Sequence, residues 1–351
     1  MYRFCLFFFV LLYASVIQVL AQKHENKIAA IAFYNLENYF NPEDNPLTND
    51  DDFTPEGAYR YTDAVFKQKA QNMAKVLSEL GTAFGADGAD LIGVCEVEDD
   101  RALQVLLQQD ALKHKQYRFV RLDGPDKRGI NVALLYRPKR FALIQAQSIP
   151  ITLQYAGGGW TRDVLLVKGV FYQDTVYVLV NHWPSRSGGE AVSAPKRALA
   201  AAVNKNVVTQ ILAEHKQAKI IIMGDLNDDP VSPSVLSVLG ATGAADKAEK
   251  ALLYNPWLKL YQQGMGTLCH NDKWNLFDQI IVSSAWLQAN TGHWQYYQAQ
   301  VFNKDYLKTT FGKYKDYPFR SFNGIKWMNG YSDHFPVVIY LRKEATQTTF
   351  E

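Results

Sequence analysis

Short runs rich in β-branched and aromatic residues recur along the whole chain: IAAIAFY, ADLIGVCEV, QYRFVRL, NVALLYRP, VLLVKGVFY, TVYVLVNHW, KIIIMGDL, FDQIIVS and HFPVVIYL. Their length and near-continuous apolarity predict strands, several with both faces buried. Two longer segments carry a helical period instead. Val65, Met73, Val76, Leu77 and Leu80 share one side of a helix predicted over about Thr62–Leu80, ending before Gly81. Leu199, Val203, Val207 and Ile211 repeat every four residues in a second helix, with Pro195 expected near its start, where a missing N–H does no harm. Strands outnumber helices and no repeat is visible, so the pattern predicts two packed sheets with a few covering helices in one domain. The Asp-, Asn- and Pro-rich stretch Asn41–Gly57 reads as a long loop, and Gly240–Lys250 as a small-residue connector.

Composition changes this picture in two places. Of 351 residues, 48% are apolar, enough for a large core, and 37 Lys and Arg against 35 Asp and Glu leave a formal charge of +2. That balance excludes a strongly basic DNA-coating protein. Three cysteines, Cys5, Cys95 and Cys269, are too few for a disulfide-stapled scaffold or a four-cysteine zinc site, and whether Cys95 and Cys269 pair is not readable from spacing. At the N-terminus an uncharged run from Phe4 to Leu20 follows Arg3, with Val19-Leu20-Ala21 ahead of Gln22. This reads as an export signal, residues 1–21, cleaved after Ala21 to leave a single domain over 22–351, with an uncleaved membrane anchor as the lesser reading.

Polar residues gather at the ends of the apolar strands, where packing has least use for them. Asn35 and Glu37 follow IAAIAF, and Glu96 and Glu98 follow LIGV; each pair is two apart and shares a face if its strand continues. A carboxylate that continues a buried strand is expensive unless paired, hydrogen-bonded or metal-bound. Metal is the favoured reading for Glu96, and plain surface for Glu98. Asp225 and Asn227 follow KIIIMG, where Gly224 lets the backbone approach something closely, and Asp228, Asp229 and Pro230 read as a solvated turn. Asp333 and His334 precede the last strand, His182 ends TVYVLVN, and Asp278 lies in FDQIIVS. Carboxylates and amides without clustered cysteines or histidines favour a hard cation, Mg²⁺ or Mn²⁺, over zinc. No GxSxG, GxGxxG or GxxxxGK[ST] sequence supports a covalent serine or a glycine-rich nucleotide loop.

In that order, FYNLEN, GVCEVE, NHWPSR, IIMGDLNDDP, NLFDQIIVS and YSDHFPVV resemble the signature blocks of the endonuclease/exonuclease/phosphatase superfamily, over nearly the whole chain after the signal. The resemblance implies a four-layered α/β sandwich, two packed mixed β-sheets flanked by helices, with the site at one edge. It implies Glu96 as the principal metal ligand, with Asn35 and Asp333 beside the metal, and Asn35 and Asn227 at the phosphate. It also implies that His182 contacts phosphate or assists proton transfer, that Asp225 orients the attacking water, and that Asp278 orients His334. Glu37 stands where relatives vary. Arg128 and Asn131, in RGINVALLY, lie where relatives place phosphate contacts. Arg186 and the backbone of the Ser185–Gly189 loop would offer one more phosphate cradle.

The leading expectation is therefore an exported, Mg²⁺-dependent phosphodiester hydrolase, an endonuclease or exonuclease acting on nucleic acid, with no protein partner implied. A phosphatase or sphingomyelinase-like enzyme on small phosphoesters or lipid head groups is the alternative in the same fold. A non-catalytic binding module is the alternative from another class, and the full polar set argues against it. Fold alone does not choose the substrate.

Overall fold

The computed structural model describes residues 27–344, apart from 157, 246–251 and 289–291. The export segment and most of the second half of the Gly240–Lys250 connector therefore lie outside the described residues. Among the described residues seventeen strands run in chain order: β1 Lys27–Tyr39, β2 Leu91–Val97, β3 Arg118–Arg121, β4 Asn131–Tyr136, β5 Phe141–Ile149, β6 Val164–Phe171, β7 Asp174–His182, β8 Lys219–Asp225, β9 Ala241–Thr242, β10 Leu253–Tyr254, β11 Leu268–His270, β12 Lys273–Asn275, β13 Asp278–Ser283, β14 Gln295–Val301, β15 Phe322–Asn323, β16 Lys326–Trp327 and β17 Val337–Lys343. Two mixed sheets hold most of them, in the orders β14-β17-β1-β2-β4-β3 and β5-β6-β7-β8-β13-β10-β9. Each has a parallel pair near its centre, β1 with β2 and β7 with β8, so the four strand ends that carry Asn35, Glu96, His182 and Asp225 come from parallel pairs.

The alternation of β8 shows how the layers stack. Ile221 and Met223 point into the core between the sheets, while Ile220 and Ile222 point to the opposite face, against the helix Glu190–Glu214. The helix Asp63–Glu79 covers the first sheet with Phe66, Ala70, Met73 and Leu77. The result is helix, sheet, sheet, helix. That first helix fits its predicted bounds: the Thr62 hydroxyl caps it by accepting from Val65 N–H, and Gly81 follows at φ +75°. The second begins at Glu190, so Pro195 is inside it, more than a full turn in, not at its start. Its buried face also differs from the one read from the four-residue repeat: Arg197 and Asn204 are buried along with Val207 and Ile211. Among the described residues no helix is long and apolar enough to cross a membrane.

All nine apolar runs form strands, but two long strands, β5 and β14, and the short β9, β10, β11, β12, β15 and β16 have no counterpart among them. The two long ones are the instructive cases. Both lie at sheet edges, and their FALIQAQSI and QYYQAQV sequences leave much of their length exposed. An edge strand buries one side at most, so it lacks the apolar continuity that marks the central ones. Among the described residues Cys95 and Cys269 are both free and do not pair with each other, the first buried and the second half-buried.

Gly224 sets how closely β7 and β8 run. It pairs with Asn181, and a Cβ there would stand 2.4 Å from the Asn181 carbonyl oxygen. Only a residue without a side chain allows this approach, and Asp225 is the next residue. Gly224→Ala should therefore lower the thermal midpoint and, in the folded fraction, move Asp225 enough to reduce turnover. A variant with wild-type melting and wild-type rate would show that the close approach is dispensable.

Candidate active site

The site is built where the parallel strands stop being regular. Between the Asn35↔Cys95 and Tyr39↔Val97 pairs, Leu36, Glu37 and Asn38 lie against Glu96 alone, and Glu96 also has no partner in β4. Glu37, Asn38 and Glu96 take left-handed φ values of +48°, +51° and +58°, and Asn227 takes +50°. Non-glycine residues adopt this region at a cost and only where surroundings enforce it. The bulges reverse the expected pairing of faces: Asn35 and Glu37 part company, as do Glu96 and Glu98.

At the centre, the Asn35 amide lies between two acids. Its Nδ2 donates to Asp225 Oδ2 at 3.1 Å and, more weakly, to Glu96 Oε1 at 3.4 Å, while its Oδ1 accepts from Glu37 N–H at 2.8 Å. Glu96 Oε2 accepts from Asn38 N–H at 2.7 Å. His182 Nε2 is 3.8 Å from Glu96 Oε1 and 3.7 Å from Asp225 Oδ2. Asp225 is cross-strand neighbour to both His182 and Asp278, and its Oδ1 accepts from Asn227 N–H at 2.9 Å. His334 Nδ1 lies 2.7 Å from Asp278 Oδ2, and its Nε2 is 3.9 Å from Asp225 Oδ2. Asn227 Nδ2 donates to the Trp183 carbonyl. Thus Asn35, Glu96, His182, Asp225, Asn227, Asp278 and His334 meet from six separate stretches of chain.

Their environment pulls the titratable groups apart. Burial raises the Asp225 carboxyl to about 7, with His334 opposing and Asp278 and Glu96 reinforcing the rise. Burial alone would push both imidazoles down. In His182 it wins, helped by the positive charges of Arg162 and Arg128, and the ring is held well below its ordinary value. In His334 the facing carboxylates Asp278 and Asp225 outweigh it and lift the ring well above. The site therefore holds one neutral and one protonated imidazole at neutral pH.

Other expected residues lie differently. Asp333 Oδ2 accepts from Arg320 at 2.8 Å. Asn35 Oδ1 accepts one hydrogen bond, from Glu37 N–H, which leaves its second lone pair for a metal or a donor. Asn131 is no phosphate contact: it is buried, its oxygen accepts from Gly124 N–H, and its amide donates to the carbonyls of Glu98 and Gly129. Arg186 is likewise spent internally, donating to the Asn227 carbonyl, Glu190, Asp228 and Asp229, with its guanidinium over Phe277. Arg128 remains half-exposed beside Asp126, close enough for its charge to be felt by His182. Glu98 is not a surface residue: it is buried, accepts from Asn41, and is raised by burial to about 8. Nor is Asp228-Asp229 a solvated turn. Both acids are buried against Arg197, Arg186, Ser234 and Asn275.

The donor set fits a hard cation. Glu96 is the site acid with a partly exposed side chain, and its Oε1 has only the long contact to Asn35. Cys95, His182 and Asp225 bring ligand atoms within 4.8 Å of one another, as a softer metal would require. Yet burial and the nearby Asp225 and Glu96 carboxylates push the Cys95 thiol up, so it offers no thiolate. Sequence reasoning missed two groups behind the site, Lys69 and Arg320. Lys69 was detectable: it interrupts the apolar stripe Phe66, Ala70, Met73 of the first helix. If Asp278 is what keeps His334 charged, Asp278→Asn should lower the His334 pKa in an NMR titration of the folded protein. An unchanged titration would remove Asp278 from that role.

The fold agrees with comparison to known proteins. No curated protein matches the chain. Among solved structures, a humanized Danio rerio TDP2 superposes with a TM-score of 0.55 at 16% identity, over 90% of this chain and 98% of that one. D. rerio TDP2 complexed with a single-strand DNA product gives 0.52 at 15% identity, over 90% and 99%. A mannosyl-6-phosphatase from Bacteroides thetaiotaomicron gives 0.51 at 17% identity, over 89% and 99%. At these identities the likeness shows the fold. The model of the Endonuclease/Exonuclease/phosphatase family matches residues 30–343, and the chain belongs to that family.

Proposed function

We propose that the chain is an exported, divalent-metal-dependent phosphodiester hydrolase, with a polynucleotide as its leading substrate. One observation carries the reading: Glu96, Asp225, Asp278 and His334 converge with two amides and His182 at a single buried centre, a set that no packing requirement explains. A binding module on the same fold would have no use for a carboxylate-oriented, protonated histidine beside a carboxyl tuned to near neutrality. TDP2, which shares the fold, is recorded with a DNA product, and that supports nucleic acid as substrate.

Each residue then has a task its surroundings suit it for. Asp225, raised to about 7, is basic enough to take a proton from an attacking water. Protonated His334, fixed by Asp278, faces charge that develops on the phosphoryl group. Neutral His182 and the Asn227 amide hold phosphoryl oxygens in line for attack. Glu96 would hold Mg²⁺ or Mn²⁺ as its protein carboxylate, with water and substrate oxygens completing a shell of the kind these ions favour. A cation bound there neutralises negative charge on the phosphate oxygens.

A small phosphoester is the second reading, and a specific observation favours it. Arg186 and Asn131 are engaged internally, so of the three expected contacts beyond the reacting phosphate Arg128 alone keeps an exposed side chain. The phosphatase of the same fold is consistent with this alternative.

Hydrolysis of plasmid DNA, single-stranded DNA, RNA, sphingomyelin, a sugar phosphate and a chromogenic phosphodiester should separate the readings. Activity should vanish with EDTA, and Glu96→Gln should raise the metal concentration required; full activity in chelator sinks the metal reading. His334→Ala should lose at least about two orders of magnitude in kcat with KM little changed. A base works only when deprotonated, so the rate should climb with pH through about 7, the value to which burial raises Asp225. Export rests on the Phe4–Leu20 run alone. An intact mass beginning at Gln22 in the exported fraction would support it, and retention of residues 1–21 would favour the anchor.

A further inference from the structure

Lys69 is fully buried on the inward face of the helix Asp63–Glu79, among Phe66, Ala70 and Met73. An ammonium is costly there unless its hydrogen bonds are met, and two of its three donors have partners. Its Nζ donates to the Glu37 carbonyl and, at 2.7 Å, to the Ser321 hydroxyl. Those two acceptors belong to segments far apart in sequence, and each leads into the site. From Glu37, the adjoining N–H groups hold Asn35 Oδ1 and, through Asn38, Glu96 Oε2. From Ser321, the hydroxyl donates to the Tyr331 carbonyl, and Ser332 in turn donates to the Asn35 carbonyl and accepts from His334 N–H.

A second set of bonds ties the same two segments together. The Glu37 carboxylate accepts from Ser321 N–H at 2.6 Å and, at 3.4 Å, from Phe322 N–H. Arg320 lies 3.6 Å from Glu37 Oε1 while it holds Asp333. The charged groups facing Lys69 are thus Glu37, Asp333 and Glu96, with Arg320 as the one cation among them. Lys69 is the element that reaches both segments from behind. Its amine supplies donors to a backbone carbonyl at a left-handed turn and to a hydroxyl in a loop, neither of which an apolar side chain of equal length would satisfy.

We propose that Lys69 is a positioning residue, which fixes the left-handed Glu37-Asn38 turn against the Phe319–His334 segment and so sets where Glu96 and His334 stand. The proposal rests on the metal-dependent hydrolase reading for its catalytic consequence, but its structural half can be measured without turnover. Supporting groups of this kind typically change metal affinity by about 10- to 100-fold when removed.

The test compares Lys69→Met with Met73→Ala, a control that also opens the buried face of the same helix but touches neither Glu37 nor Ser321. Mn²⁺ binding to the purified protein is measured by calorimetry, beside thermal melting and steady-state kinetics on a chromogenic phosphodiester. Lys69→Met is expected to weaken Mn²⁺ binding at least about tenfold and to lower kcat with KM little changed. Met73→Ala should melt earlier yet bind Mn²⁺ within about twofold of wild type. Wild-type affinity and turnover in Lys69→Met would overturn the proposal, as would equal losses of affinity in both variants, since these would mark general destabilisation. If the wild type binds Mn²⁺ but hydrolyses no phosphoester, the functional reading fails while the affinity comparison still judges Lys69. If it binds no Mn²⁺, both fall.

Discussion

Negative charge that the fold brings together and then has to hold is the constraint on which the rest of this structure depends. Asp225 and Asp278 pair across two strands and are buried, and Glu96, at the bulge near the end of a third, adds a carboxylate that is only partly exposed. Like charges at such distances in a low-dielectric site cannot all persist uncompensated. The chain answers with dipoles and one cation. The Asn35 amide points its positive end at both Asp225 and Glu96, and the His334 ring lies between Asp278 and Asp225. What is left over is Glu96, on the side open to solvent, and the uncompensated charge there is what a divalent cation would meet.

Behind this centre, positive side chains hold the loops that carry it. Arg162, buried with Asp126, donates to the carbonyls of His182 and Trp183. Arg197 and Arg186 clamp the Asp228-Asp229 turn just after Asn227. Lys69 does the same for the Glu37 turn. Buried ion pairs of this sort are poor evidence for net stability, because desolvation consumes much of their Coulomb energy. Their value is geometric: a loop held by paired charges and hydrogen bonds has few alternative arrangements. That explains how three strand ends keep non-glycine residues in left-handed conformations that cost energy locally.

How much of this was legible in the sequence follows from the same physics. The central strands were readable because both their faces are buried and their apolar runs are continuous; β5 and β14 were not, because an edge strand has a solvated side. The polar residues at strand ends were readable as a set, since each contradicts the pattern that precedes it. Their directions were not. The two-residue rule holds only while a strand is regular, and bulges at Glu37-Asn38 and Glu96 send Glu37 to Ser321 and Glu98 to Asn41. The fate of a surface-looking charge was the hardest matter of all. Arg186 in a glycine-flanked loop reads as a free phosphate binder, and only the folded chain reveals that Asp228 and Asp229, forty-odd residues later, already occupy it.

The two histidines show why composition could name the chemistry but not divide the labour. Both are buried imidazoles near the same aspartate, and as sequence they are equivalent candidates. The partner of the second nitrogen separates them. His334 Nδ1 faces a carboxylate, so the charged ring is the stable form and Nε2 must donate. His182 Nδ1 is buried with no hydrogen-bond partner among the described residues, and the cations Arg162 and Arg128 oppose a charge on its ring. A neutral ring can accept or donate at Nε2, where Glu96 and Asp225 both lie just beyond hydrogen-bond distance. One histidine is thus committed as a donor by the Asp278 carboxylate, which reaches it from the other sheet, while the other is left adaptable beside Glu96, and that difference arises from tertiary placement alone.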